Sequence, residues 1–129
     1  MKKVILIIAA VILICLAAYG LFNIRGERMV NIINKEYYKV GNIDLNKVED
    51  GAYKGSYGDF IVSVELTVDV RDHKITGIHI DNQLCGQGYE AGDMVNRIIA
   101  AQTPLADVVS GASSSSKCIM IAAYRALQK

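Results

Sequence analysis

Hydrophobic positions follow three patterns along the chain, and each pattern predicts a different element. Val4–Phe22 is an uninterrupted apolar run without a charged residue. Phe60–Val70 alternates apolar and mostly polar residues with a period of two, which predicts a strand with one face in a core. Ser115–Leu127 places apolar residues at helical spacing. The chain therefore combines a membrane-type segment with a domain that contains both strands and helices.

The strand signal predicts a hairpin. A polar turn at Arg71–Lys74 separates the first strand from a return strand at Ile75–Ile80. Val48–Gly58 predicts a turn and a short strand before the hairpin. The alternating side chains of the first strand are expected to share one core face: Phe60, Val62, Val64, Leu66, Val68 and Val70.

Two helices are expected after the hairpin. A loop with three glycines at Asn82–Gly92 precedes a helix at about Ala91–Ala101, which Pro104 ends. The last helix is expected at Ser115–Leu127. Strands followed by helices favour the α+β class, here a small antiparallel sheet with helices packed on it, preceded by one N-terminal transmembrane helix.

The apolar run predicts the membrane topology. As a helix, Val4–Phe22 spans roughly 28 Å, which is close to the hydrocarbon thickness of a bilayer. Lys2 and Lys3 precede it, so the positive-inside rule places the N-terminus in the cytoplasm and the rest of the chain outside. We expect a single-pass cell-membrane anchor at 1–22, a solvated connector at 23–47, helical in its first part, and a domain at 48–129. A polytopic transporter is excluded because no second stretch is long enough to cross a bilayer.

Two other leader types are open from the residues. Ala18-Tyr19-Gly20 offers small residues for signal-peptide cleavage. A lipoprotein signal is less favoured, because the bulky Ile14 precedes Cys15 where a small residue is normal. All three leaders export the domain.

Charge and cysteine content exclude some functions. Without Lys2 and Lys3, 12 basic residues face 13 acidic ones, with no basic stripe, which argues against nucleic-acid binding. Cys85 and Cys118 lie in the exported part, where they can pair or remain as two thiols, one packed on a helix. Without a Cys-x-x-Cys motif, a metal or haem role has little support.

The stretch with the most chemical content is Asp107–Ser116, which reads Asp-Val-Val-Ser-Gly-Ala-Ser-Ser-Ser-Ser and precedes the last helix. A flexible serine-rich linker is disfavoured, because apolar segments flank it on both sides. Ser115 or Ser116 is expected to cap the helix. Small hydroxyl residues with one glycine at a helix start can also bind a phosphate through backbone N–H groups.

The run from Asp107 to Ser113 resembles the Asp-x-x-Ser/Thr-Gly-Ala-Thr signature of the FMN-binding domain family. This domain occurs in peripheral subunits of sodium-translocating NADH:quinone reductase and of related ferredoxin:NAD oxidoreductase complexes, and in small membrane-anchored or exported flavoproteins. Further resemblances follow in the family's order and cover about Val48 to Leu127: an opening at Glu49–Gly55, the hairpin Val62–Ile80, the helix segment Ile98–Gln102 and the ending from Ser115 to Leu127.

The resemblance implies a covalent cofactor. Ser113 stands where the family has a threonine that is esterified to the FMN phosphate by a separate FAD:protein FMN transferase, outside the cytoplasm. Serine keeps the hydroxyl but lacks the methyl that stiffens threonine. Non-covalent FMN and a flavin-free domain are the alternatives. The implied cofactor-binding residues are Ser113, Ser110, Gly111, Ala112 and Ser114, with Asp107 marking the segment that the transferase recognises.

The function implied by the resemblance is a membrane-anchored FMN electron carrier, which passes electrons from an unidentified donor to an unidentified acceptor. No side chain needs to act as a general base, so a carrier is favoured over a stand-alone enzyme. The alternative is a non-redox binding or accessory module of the same fold without flavin. Ser114–Lys117 also fits the Ser-x-x-Lys motif of penicillin-interacting enzymes, although their other motifs are missing.

Four further residues are candidates only by residue type. His73 and His79 are expected to face solvent, in the hairpin turn and on a strand. Tyr53 and Tyr89 can stack on a flavin ring, but core packing is the expected use of each.

Overall fold

The computed structural model describes residues 1–128, so Lys129, the last residue of the expected domain, lies outside it. The chain is α+β, as expected: three helices and one three-stranded antiparallel sheet. The elements in order are α1 (Lys2–Tyr37), a short 3-10 helix (Leu45–Lys47), β1 (Gly51–Asp59), β2 (Val62–Arg71), β3 (Lys74–Leu84), α2 (Asp93–Ala101) and α3 (Ser113–Leu127).

The sheet is a meander in the order β1-β2-β3. In β2, the apolar face is buried from Val62 to Val70, as the period-two pattern predicts. Phe60 does not belong to that face, so this part of the prediction is wrong. It lies in the two-residue turn between the paired residues Asp59 and Val62, has φ of 54° and leaves 39% of its surface exposed.

The second hairpin turns at Asp72 and His73, between the paired residues Arg71 and Lys74. Both turn residues have positive φ, 49° and 60°, which is the pattern of a type I′ turn. His73 and His79 are both exposed, as expected. The return strand is longer than expected: β3 continues to Leu84, into the segment expected to be a loop.

Helix α3 covers the buried face of β1 and β2, and its own buried side is apolar except for Ser115 and Ser116 in the first turn. The closest approach is at Gly55 of β1, where a Cβ atom would lie 2.0 Å from the carbonyl oxygen of Ala122 and 2.8 Å from Cβ of Ala126. Because a glycine of β1 faces alanines of α3, the backbones of the strand and the helix can come into direct contact. This contact sets the position of α3, and with it the position of its first residue.

Helix α1 is 36 residues long, and its N-terminal part is apolar enough to cross a membrane, with a mean hydropathy of 3.0 and no part of that window buried. The helix continues past Phe22 without a break. Met29 and Ile33 beyond it are buried in the core of the domain, whereas Val30 is exposed. The expected connector is thus helical in its first part, but it is packed on the domain rather than solvated.

Helix α2 ends at Ala101, as expected, three residues before Pro104. Gln102 adopts a left-handed conformation with φ of 54° and terminates the helix. Its side chain then accepts a hydrogen bond from Ile75 N–H at 2.8 Å and donates to the Ile75 carbonyl at 2.9 Å. One amide side chain thereby fixes the end of α2 to the start of β3.

Candidate functional site

The segment that leads into α3 has no regular secondary structure and is held by two side chains. Arg97 of α2 donates from Nη1 to the carbonyl oxygens of Asp107 and Val108, at 3.1 and 2.8 Å. Ser116, which is fully buried, accepts a hydrogen bond from Val109 N–H at 3.0 Å and donates to the Ala112 carbonyl at 2.7 Å. The backbone on both sides of Ser110 is therefore fixed, although no strand or helix contains it.

Ser113 is the first residue of α3, and its side chain is exposed. The helix begins two residues earlier than expected, and Ala112 occupies the N-cap position without a side-chain capping bond. The expectation that Ser115 or Ser116 caps the helix is therefore wrong: both are buried inside the first turn. The first intrahelical bond joins Ser116 N–H to the Ala112 carbonyl at 2.9 Å, so helix geometry leaves the N–H groups of Ser113–Ser115 without an intrahelical acceptor.

Gly111 adopts φ of +79°, a left-handed conformation that side chains other than glycine rarely take. Nothing lies within 4 Å of the position that its Cβ would occupy. The glycine is thus required by the backbone turn into α3 and not by crowding within the protein. Open space at this position also leaves the approach to Ser113 free.

A cavity of about 420 Å³ lies in front of the start of α3. Its volume is within the range of roughly 300–1,000 Å³ that is usual for small-molecule sites. The helix side carries three serine side chains, and the other side carries mainly apolar ones. The lining residues are Gly111, Ala112, Ser113, Ser114 and Ser115 on the helix side, and Ile61, Val62, Gly86 and Tyr89 on the other.

The structure brings together only part of the predicted site. Gly111, Ala112, Ser113 and Ser114 line this cavity. Ser110 is exposed beside it but is not among the lining residues. Asp107 borders a different depression, together with Tyr37 and Arg97. The Asp107 carboxylate therefore does not face the cavity that contains Ser113.

Tyrosine roles differ from the expectation in one case. Tyr53 packs against the core, and its hydroxyl donates to the Glu49 carbonyl at 2.8 Å. Tyr89 does not pack in the core: 56% of its surface is exposed, and it forms part of the cavity wall. Ile61 and Gly86 are wall residues that the sequence did not point to. The signal available in the sequence was the glycine content of the segment before α2, which predicts a loop.

Both cysteines of the domain are free thiols, which is the unpaired alternative. Burial in α3 raises the pKa of Cys118 to about 12. Burial also raises the pKa of Cys85, the charge of Glu90 adds to this rise, and a hydrogen bond with the Ser115 side chain opposes it. Neither thiol is activated as a nucleophile at neutral pH.

The Ser-x-x-Lys hypothesis requires Lys117 to act on Ser114. Instead, Lys117 Nζ donates to Asn34 Oδ1 of α1 at 2.6 Å and lies 5.3 Å from the ring centroid of Tyr37. The lysine thus joins α3 to α1, which is a structural role. This pairing gives no support to a serine hydrolase.

The local geometry consists of an exposed hydroxyl at a helix start, backbone donors beside it and an apolar wall opposite. These groups can hold an anion at the helix end and a flat apolar ring against the wall. No family model, curated protein or solved structure matches the chain.

Proposed function

We propose that the chain is a membrane-anchored extracytoplasmic flavoprotein that carries FMN through a phosphodiester to Ser113 and acts in electron transfer. The observation that carries the proposal is the position of Ser113. Its hydroxyl is exposed at the first turn of α3 and lines a cavity with one apolar wall. The likeness of Asp107–Ser113 to the family signature identifies the same residue independently of this geometry.

The residues around Ser113 fit the two halves of FMN. The N–H groups of Ser113, Ser114 and Ser115 and the positive end of the helix dipole suit a phosphate. Ile61 and Tyr89 on the opposite wall suit the apolar isoalloxazine ring. FMN supplies the one-electron and two-electron chemistry when bound, and the protein contributes attachment, orientation and exclusion of water.

The group that the chain must supply for the attachment reaction is an accessible hydroxyl. A transferase acting on FAD forms a bond from the Ser113 oxygen to the phosphorus of the FMN half, breaks the phosphoanhydride bond to AMP, and releases AMP and a proton. The left-handed turn at Gly111 and the burial of Ala112 leave Ser113 projecting from a fixed backbone. Asp107, exposed on the neighbouring surface, remains a candidate for recognition by the transferase rather than for contact with the flavin.

The test is covalent labelling of the full chain produced together with a competent transferase. The wild type is expected to show in-gel flavin fluorescence after denaturation and a mass increase of one FMN less one water. Ser113→Ala should lose both signals and keep its fold. Ser113→Thr should retain them.

Ser114→Ala is the matched control, because Ser114 also carries a hydroxyl and lines the same cavity. It should remain labelled. Loss of label in Ser114→Ala with retention in Ser113→Ala would move the attachment site by one residue. A wild type without covalent flavin would exclude the phosphodiester, and dialysis under native conditions would then separate non-covalent FMN from a flavin-free module.

Orientation is a separate part of the proposal. It is supported by the apolar stretch of α1 and by Lys2 and Lys3 at its N-terminal end. Protease added to intact spheroplasts is expected to digest the domain. If the domain is protected from protease in intact spheroplasts and is digested only after lysis, the orientation is the reverse of the one proposed.

A further inference from the structure

The exposed large apolar side chains of the domain are confined to one place. Among residues 48–128, the described part of the domain, there are four of them: Phe60 with 39% of its surface exposed, Ile61 with 41%, and Leu84 and Tyr89 with 56% each. Scattered exposed apolar residues need no explanation, but a cluster does. We call these four residues the apolar rim.

All four members of the apolar rim lie at the same end of the sheet. Phe60 and Ile61 form the turn between β1 and β2. Leu84 is the last residue of β3 and pairs with Ser63, two residues beyond that turn. Tyr89 lines the same cavity as Ile61. The rim is therefore continuous with the wall of the proposed flavin cavity.

The apolar rim is also continuous with the apolar part of α1. The rings of Phe60 and Phe22 are 5.4 Å apart, measured between centroids and tilted by 56°. Phe22 is the last residue of the continuous apolar run that is long enough to cross a bilayer. The guanidinium carbon of Arg25, one turn further along α1, lies 5.0 Å from the centroid of the Phe60 ring. The domain thus reaches back along α1 to the level at which the apolar run ends.

The opposite end of the sheet has the opposite character. The turn between β2 and β3 is formed by Asp72 and His73, and both are exposed, as are Arg71 and Lys74 on either side. The Asp72 N–H donates to the Asp50 carboxylate at 2.8 Å, which adds another charge to this end. The domain is therefore polarised along its strands, with an apolar end near Phe22 and a charged end away from it.

We propose that the apolar rim lies in the outer interface of the bilayer that α1 spans, so that the cavity at Ser113 opens at the level of the lipid headgroups. This inference rests on the membrane anchor of the proposed function and does not depend on the flavin. A lipid surface is favoured over a protein partner because the rim joins the end of the apolar run directly. Aromatic and aliphatic side chains beside an arginine are typical of that interface.

The absence of tryptophan from the sequence makes a direct test possible. Single tryptophans are introduced into the full chain, which is reconstituted in phosphatidylcholine vesicles with or without bromine near the headgroup end of the acyl chains. Ile61→Trp and Leu84→Trp report on the rim. Lys74→Trp is the matched control, being exposed on the same sheet at the charged end, and Tyr19→Trp is the reference inside the apolar run. The ratio of emission with and without bromine removes any quenching by bound flavin.

The expected result is that Ile61→Trp and Leu84→Trp lose at least about half as much emission to brominated lipid as Tyr19→Trp, with blue-shifted spectra. Lys74→Trp should lose almost none. If Tyr19→Trp is quenched but the rim variants behave like Lys74→Trp, the inference is overturned. The rim then faces water or a protein partner. An unquenched Tyr19→Trp would instead overturn the membrane anchor, and the inference with it.

Discussion

Arg25 of α1 and Asp59 at the end of β1 form a two-pronged ion pair, in which Nη1 and Nη2 of the guanidinium donate to Oδ2 and Oδ1 of the carboxylate at 2.9 and 3.0 Å. The hydrogen bond to Asp59 raises the pKa of Arg25 above its usual value. Since Asp59 immediately precedes Phe60, this pair fixes the first hairpin turn to α1 just beyond Phe22.

We expect the pair to act as a geometric constraint more than as a source of stability, because both partners retain contact with solvent. Arg25→Asp and Asp59→Arg should each lower the melting temperature slightly and increase proteolysis at the hairpin turn. The double swap should restore resistance to proteolysis. Additive losses in the double variant would show that the two side chains do not interact in solution.

Val64 tests the assigned face of β2. It is 2% exposed and points between the sheet and α3, so Val64→Asp would bury a charge without a partner and should cost more than about 3 kcal/mol of unfolding free energy. Glu65→Gln, one residue away on the exposed face, is the control and should leave the transition unchanged. Chemical denaturation followed by circular dichroism measures both. A stable Val64→Asp would mean that the strand is registered on the other face.

Gly55 tests the contact between β1 and α3. In Gly55→Ala the new Cβ would overlap the backbone carbonyl of Ala122, which no rotamer change can relieve. Overpacking of this kind costs typically about 1–3 kcal/mol, and we expect the upper end or more. Gly41→Ala is the control, because nothing lies within 4 Å of that Cβ position. Equal melting temperatures for the two variants would contradict the close packing.

Cys118 gives a prediction for alkaline pH. Burial raises the pKa of its thiol to about 12 in the folded chain, above the value of 9.0 for an unperturbed cysteine. The folded state therefore holds this proton more tightly than the unfolded state, so the stability it contributes is present below pH 9 and is lost as the pH rises from about 9 to about 12. Cys118→Ala should lose stability less steeply over that range. Melting temperatures that fall equally steeply with pH in the two proteins would contradict the buried environment of the Cys118 thiol.

The parts of the fold that depend on local pattern were predictable. The alternation from Val62 to Val70 predicted the buried face of β2, and the polar residues at Arg71–Lys74 predicted the second turn. The spacing of Phe60 fits the period and predicts that it belongs to the strand, but it lies in a two-residue turn. When the turn residues are themselves apolar, the period-two pattern alone does not show where the turn ends and the strand begins.

The parts that depend on tertiary contacts were not predictable in the same way. Charges of both signs after Phe22 indicated a solvated connector, yet Met29 and Ile33 are buried against the domain. The serine run marked the start of α3, but which serine is exposed depends on Ser116 turning inward to hold Val109. Tyr89 and Ile61 meet the helix start only through the fold, so their place in the cavity wall could not be inferred from spacing along the chain.

The unbroken course of α1 from Lys2 to Tyr37 has a consequence for how any partner meets the domain. A flexible tether in place of residues 23–37 would let the domain move over roughly 20 Å and tumble freely. A single helix packed into the core allows neither, so in a membrane the site would keep a nearly constant height and would move by lateral diffusion and by rotation about the membrane normal. A partner in the same membrane would then meet the site by diffusion in two dimensions, with its reactive side at a matching height. A partner from the aqueous phase would first have to reach the lipid surface.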